Sequence, residues 1–162
     1  MSLRIGFGYD THRFTDGDHI VIGGENILFS QGVDAHSDGD VLLHTICDAL
    51  LGAAGLGDIG KHFPDTKAEF KDIESTLLLE SVVSKIEKKN YVVGNVDSTV
   101  VLERPKLAEH ISAMRENISK LLKISSDNVN IKATTNEGMS FIGRGEGVAA
   151  FAVVTLLQHG AS

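Results

Sequence analysis

Five polar residues in the first third of the chain have types and spacings suited to holding a metal ion. Asp10 and His12 lie in "GYDTHRF", at the end of the apolar run "LRIGFG". Side chains alternate along a strand, so this carboxylate and imidazole share one face. Asp40, His44 and Asp48 recur at i, i+4 and i+8 in "DGDVLLHTICDALLGA", one polar stripe on an otherwise apolar helix. Two imidazoles and a carboxylate (His12, His44 and Asp10) suit a zinc ion with its fourth position open, as catalytic sites require. A leftover carboxylate nearby would orient one imidazole. The plainer alternative is a wet strand end and a hydrogen-bonded core histidine, and spacing alone leaves both readings open.

Other stretches carry groups suited to phosphate. "DAHSDGD", residues 34–40, resembles a calcium loop, but Thr45 stands where the twelfth-position Glu would be required. His36, Ser37 and the amides of residues 37–39 read instead as a helix N-terminus able to take an anion, or simply as a cap. "KATTNEGMSFIGRGEG" ends a strand with two threonines and a Glu, oxygen donors suited to phosphate and a hard cation. "GLGDIGKHFPDT" forms a Gly/Pro loop at the rim of a site. "ERPKLAE" sets Pro105 just before a helix, with Lys106 free to reach an anion.

Composition narrows the classes. The chain has 162 residues, 42% hydrophobic and 23% charged, which suits a single domain across residues 1–162. A net charge of -7 argues against general binding to a nucleic-acid backbone. One cysteine, Cys47, rules out an intrachain disulfide and suits a reducing compartment. The N-terminus lacks a signal-peptide pattern, and the longest apolar run, "VAAFAVVTLL", is about half of what a membrane-spanning helix needs. A soluble, cytoplasmic protein is expected, or one in the plastid stroma if a transit peptide has been removed.

The elements follow from periodicity. After the first strand, "HIVIGGENILF" predicts a hairpin around Gly23-Gly24. A helix buried on most sides follows, capped by Ser37 or Asp38 and ended by Gly55 or Gly57. A second helix starts near Asp72 in "KDIESTLLLESVVSKIEKKNY". "YVVGNVDSTVVLE" is strand-like. Ile111, Met114, Ile118, Leu121 and Leu122 recur at helical spacing, and "DNVNIKATT" alternates as a half-buried strand. "GVAAFAVVTLL" predicts a strand buried on both faces. The fold class is α/β, an α+β-like arrangement of two layers with a mixed sheet packed on helices.

Together, "GYDTHRF", "HSDGDVLLHTICDALLGAAGLGDIGKHFPDT", "ERPKL", "KATTNE" and "GRGEGVA" resemble, in order and spacing, the 2-C-methyl-D-erythritol 2,4-cyclodiphosphate synthase family of the non-mevalonate isoprenoid pathway. The resemblance runs from near residue 3 to near residue 157. It implies a homotrimer that converts 4-diphosphocytidyl-2-C-methyl-D-erythritol 2-phosphate to the cyclic diphosphate and CMP. It implies zinc on Asp10, His12 and His44, one ion per chain, with Thr11 beside them at the substrate. His36 and Ser37 would handle the 2-phosphate. Asp58, Ile59 and Gly60, with Phe63, Pro64, Asp65, Thr66 and Lys67, would contact the ribose or erythritol parts. Leu102, Glu103, Arg104, Pro105, Lys106, Leu107 and Ala108 would hold the cytosine and diphosphate. Thr134, Thr135 and Asn136 would meet phosphate, and Glu137 would hold magnesium or manganese. His36 and Thr135 are the implied catalytic contacts. Phe141 and Arg144 would face a threefold axis whose cavity can take an isoprenoid.

Three departures stand out: Lys67 where the family usually has an acid, Asn136 where it has a third Thr, and "DIES" in place of an "ADS"-like stretch. All three are expected at the rim and loop, away from the metal ligands. Two other functions fit the same residues. A zinc phosphate-ester or diphosphate hydrolase would need a base beside a metal-bound water, for which Asp48 or Asp65 is available. A non-catalytic trimeric module would need a fourth metal ligand, and only three are evident.

Overall fold

Alternation along the first strand governs the architecture. In the computed structural model, which describes residues 2–158, β1 (Leu3–Thr15) turns Gly6, Gly8, Asp10, His12 and Phe14 to one face. Leu3, Ile5, Phe7 and Tyr9 occupy the other face and are exposed. The predicted hairpin is present as β2 (His19–Ile22) and β3 (Glu25–Leu28). Its turn residues Gly23 and Gly24 both have positive φ, +61° and +75°, which a two-residue hairpin loop requires. After β4 (Gly32–Asp34) comes the buried helix α1 (Val41–Ala53).

The remaining elements are α2 (Ile59–His62), α3 (Ser75–Lys88), β5 (Tyr91–Val101), α4 (Ile111–Leu122), β6 (Val129–Thr134), α5 (Ser140–Gly143) and β7 (Gly147–Gln158). Five strands form one sheet in the order β4-β1-β7-β5-β6. All neighbours are antiparallel except β5 and β6. This is the expected mixed sheet with a helical layer: α1 lies on β1 and β7, α3 packs on α1, and α4 packs on α3.

Two glycines decide how closely α1 sits on the sheet. A Cβ at Gly6 would come within 1.9 Å of the Ala49 carbonyl oxygen, and one at Gly8 within 2.1 Å of the Thr45 carbonyl oxygen. Only bare backbone on the core side of β1 permits this approach. It brings residue 44 of the helix over residues 10 and 12 of the strand.

Several boundaries differ from expectation, each for a physical reason. Neither Ser37 nor Asp38 caps α1; Asp40 does. Its fully buried carboxylate accepts from Leu43 N–H at 3.0 Å, and from the hairpin amides of Gly23 and Gly24 at 2.9 and 2.7 Å. One side chain thus caps the helix and fixes the hairpin, so Asp40 is structural rather than part of a polar stripe. Gly55, at φ +67°, follows the helix end as expected. Asp72 lies outside α3, which starts at Ser75 with its amide bonded to Asp38. Pro105 lies six positions ahead of α4 rather than just before it. The strand β7 is not buried on both faces: Phe151 and Val153 stand exposed beside Tyr9 and Phe7, because the helical layer covers only one side of the sheet.

Candidate metal centre and phosphate groove

The strand face and the helix meet as the spacing suggests. Asp10 Oδ2, His12 Nε2 and His44 Nδ1 form a near-equilateral triangle with sides of 3.1, 3.1 and 3.2 Å. Zinc bonds of roughly 2.0–2.2 Å at tetrahedral angles would hold such atoms about 3.3–3.6 Å apart, so the triangle fits a divalent ion after a small expansion. Among the described residues, this is the one group of three His, Cys, Asp or Glu side chains whose ligand atoms converge.

The electrostatics suit a cation. Partial burial raises the Asp10 carboxyl, but hydrogen bonds from His12 and His44, and their charge when protonated, outweigh it. The net effect holds Asp10 well below the usual carboxylate range, so it presents an anion to the triangle. Burial pushes the nearby Cys47 thiol far up, with Asp40 and Asp48 adding to the effect, so Cys47 offers no thiolate.

The back of His44 is held by hydroxyls, not by the carboxylate expected there. Its Nε2 lies 2.8 Å from Ser75 Oγ and 3.1 Å from Ser37 Oγ. Ser75 in turn donates to Asp38 Oδ1. "DIES" therefore does reach a metal-site residue, contrary to expectation, because α3 begins directly behind α1. No periodic signal in the sequence marks Ser75 for this place.

The triangle opens into a hollow of about 330 Å³. Its polar wall holds His36, Ser37 and Asp65, and its apolar wall includes Ile59, Phe63 and Phe70, with Gly60 between them. Asp58 stands behind, capping α2 through Lys61 N–H at 2.9 Å. Pro64, Thr66 and Lys67 lie off this wall, and Lys67 pairs with Glu69 at 3.7 Å. The anion site expected at residues 37–39 does not form as a helix N-terminus. The Gly39 amide donates to Ser37 Oγ, the Asp40 amide donates to Asp38, and the first turn of α1 is filled by Asp40 itself. Asp48, a candidate base for hydrolysis, instead accepts from Ile59 N–H at 3.1 Å and so ties α2 to α1.

A second groove, about 490 Å³, lies elsewhere on the same chain. Leu102, Glu103, Pro105, Lys106, Leu107 and Ala108 form one wall, and Thr134 and Thr135 another. Glu103 accepts from the amides of Asn136 and Gly138, joining the two loops, while Asn136 Nδ2 donates to Met139 O and Ser140 Oγ. Arg104 is exposed and off this wall. Glu137 is exposed at φ +52°, apart from the Asp10 triangle. The two expected catalytic contacts are thus divided, His36 in the metal hollow and Thr135 in this groove.

A third hollow holds Thr11, Arg13, Phe141 and Glu146, with Arg144 bonded to Glu146 at 2.7 Å. Thr11 points there rather than towards the metal, and its hydroxyl donates to Val148 O.

The YgbB family matches residues 3–157. A 2-C-methyl-D-erythritol 2,4-cyclodiphosphate synthase from Methylococcus capsulatus is 61% identical over 157 residues, covering 97% of this chain and 99% of that protein. IspF from Plasmodium falciparum, solved as a CDP complex, superposes with a TM-score of 0.86 at 34% identity, covering 98% of both chains. The bifunctional IspDF from Campylobacter jejuni gives a TM-score of 0.93 at 41% identity, covering 97% of this chain but only 42% of that longer one.

Proposed function

The chain belongs to the YgbB family, and from that premise we propose that it is a 2-C-methyl-D-erythritol 2,4-cyclodiphosphate synthase of isoprenoid precursor biosynthesis. The substrate is 4-diphosphocytidyl-2-C-methyl-D-erythritol 2-phosphate. An oxygen of its 2-phosphate attacks the β-phosphorus. The bond from β-phosphorus to the bridging oxygen breaks, and CMP leaves with the electron pair. The observation that carries this reading is the Asp10–His12–His44 triangle in a hollow lined by phosphate-capable groups, in a chain 61% identical to a protein of that name.

The nucleophile is already ionised at neutral pH, so the chain needs no strong base; of the two candidate bases, Asp48 is committed to the Ile59 amide, while Asp65 lines the metal hollow. What the residues must do is position charged groups and exclude water. When bound, zinc at Asp10, His12 and His44, and magnesium or manganese at Glu137, supply Lewis acidity that neutralises charge growing on the β- and α-phosphates. His36 and Ser37, on the wall of the metal hollow, hold the 2-phosphate. Ile59, Phe63 and Phe70 give the hollow an apolar wall. Lys106, Thr134 and Thr135 line a groove whose size and polarity suit a cytidine diphosphate, in keeping with the CDP held by the Plasmodium falciparum relative.

In this reading the metal hollow and the cytidine groove come together between copies of the chain in a homotrimer. The separation of the two cavities supports it. So does the uncovered apolar sheet face, where Ile5 and Phe7 are 65% and 62% exposed. Phe141 and Arg144 would then border a central cavity open to an isoprenoid. One domain serves all of these roles, in keeping with a family match from residue 3 to 157. No helix among the described residues is long and apolar enough to cross a membrane. Bacterial relatives favour a cytoplasmic location.

The direct test is a product assay. With zinc and magnesium present, phosphorus NMR should show the substrate's signals replaced by those of the cyclic diphosphate and CMP. Linear products alone would support a hydrolase instead.

A further inference from the structure

We infer that Asp38 and Ser75 are positioning residues that fix the tautomer of His44 and so prepare its Nδ1 as a metal ligand. The inference rests on the reading of Asp10, His12 and His44 as a divalent-cation site. It assigns a role to two side chains that touch neither substrate nor metal.

Ser75 is fully buried at the first position of α3, and its hydroxyl has one proton to give. That proton goes to Asp38 Oδ1. Asp38 is itself fixed: its Oδ2 accepts from the Ser75 amide at 3.0 Å, and its Oδ1 also accepts from the Asp40 amide at 3.1 Å. These contacts place the carboxylate at the N-terminus of α3, where negative charge is favoured. With its proton committed, Ser75 Oγ can only accept from His44 Nε2, 2.8 Å away. Ser37 Oγ, at 3.1 Å, lies on the same side of the ring and accepts from the Gly39 amide. The shorter contact, to Ser75, therefore favours the hydrogen on Nε2, which leaves the lone pair of the neutral ring on Nδ1. That nitrogen faces Asp10 Oδ2 and His12 Nε2.

The competing tautomer is a real alternative. With the hydrogen on Nδ1, His44 would donate to Asp10 and form a satisfied pair that has no use for a cation. The Asp38–Ser75 couple makes that state costly, because the Nε2 lone pair would then face Ser75 Oγ, its nearer neighbour at 2.8 Å, with no proton there to meet it, and only the longer contact from Ser37 at 3.1 Å could supply one. The chain thereby biases the site towards metal binding before any ion arrives.

The experiment uses Ser75→Ala and its conservative partner Ser75→Thr, with two readouts. One is zinc affinity by competition with a chromophoric chelator. The other is the imidazole nitrogen-15 spectrum of His44 in the metal-free protein at mildly alkaline pH. Wild type and Ser75→Thr should show His44 as the Nε2–H tautomer. Ser75→Ala should shift population towards Nδ1–H and bind zinc about 10- to 100-fold more weakly, the usual scale for loss of an outer-sphere partner. Asp38→Ala, which removes the acceptor of the Ser75 proton, should move the tautomer in the same direction, and it stands in if Ser75→Ala does not fold. Variants that keep the Nε2–H spectrum and wild-type zinc affinity would overturn the inference. Failure of the wild type to bind zinc at all would instead count against the metal-site reading on which the inference rests.

Discussion

His44 Nδ1 lies 3.1 Å from His12 Nε2, although the two residues stand 32 positions apart on different elements. Two imidazole nitrogens at that distance need a shared proton or a shared cation. Asp10 completes the triangle and favours the cation. Protein purified without chelator should carry one zinc per chain by elemental analysis. The His12→Ala/His44→Ala double variant should carry none, and full occupancy in that variant would refute the ligand assignment.

Gly8 is the point at which packing and chemistry meet. Alanine there would drive its Cβ against the Thr45 carbonyl oxygen, a distance of 2.1 Å before any shift. The backbone of α1 cannot swing away as a flexible side chain could, so the helix must lift from β1. Gly8→Ala should destabilise the fold by about 1–3 kcal/mol or more and weaken zinc binding together with it. Denaturant unfolding and the chelator competition measure the two effects. A variant with wild-type stability and zinc affinity would show that the close approach does not hold the site together.

Acid should expose the role of Asp10 in the metal-free protein. Its carboxyl titrates below the ordinary 3.8 in the fold, since the bonds and charge from His12 and His44 outweigh burial. Between the two values the unfolded chain binds a proton that the folded chain does not, so stability rises with pH across that window. The contribution is fully present above the ordinary carboxylate value and is lost as pH falls below it. Metal-free wild type should therefore lose more thermal stability than Asp10→Asn between about pH 5 and about pH 3. Equal losses would mean that Asp10 is not held ionised by its neighbours.

If the metal hollow of one copy works with the cytidine groove of another, inactive variants should complement each other. His44→Ala and Lys106→Ala damage different cavities. Refolded together in equal amounts, they should recover about a quarter of wild-type activity, the random share of undamaged sites in a cyclic trimer. Either variant alone should stay inactive. A mixture as inactive as its components would place both cavities in service of a single copy.

Much of this site was legible because it obeys short periods. Asp10 and His12 share a face through the two-residue alternation of β1, and His44 reaches them from the polar stripe of a helix otherwise buried. The hairpin was legible from Gly23-Gly24 for the same local reason. What stayed hidden depends on contacts between distant segments. Ser75 reaches His44 only because α3 begins behind α1, and Asp40 leaves the polar stripe because the hairpin claims its carboxylate. The exposed face of β7 is not legible in the sequence, because an apolar run reports burial without saying what covers it. Gly6 and Gly8 carried a readable signal, glycine at alternate core-facing positions, whose meaning needed the helix above them.

In the proposed reaction the attacking oxygen belongs to the substrate and not to water. Holding that oxygen beside the β-phosphorus makes the step unimolecular, which can lower the barrier by about 7–11 kcal/mol. The reaction run in oxygen-18 water and read by mass spectrometry tests this most directly. Cyclisation gives CMP and a cyclic diphosphate, both without label. One labelled oxygen in the released phosphates of each product pair, with no ring formed, would contradict it and identify a hydrolase built on the same three ligands.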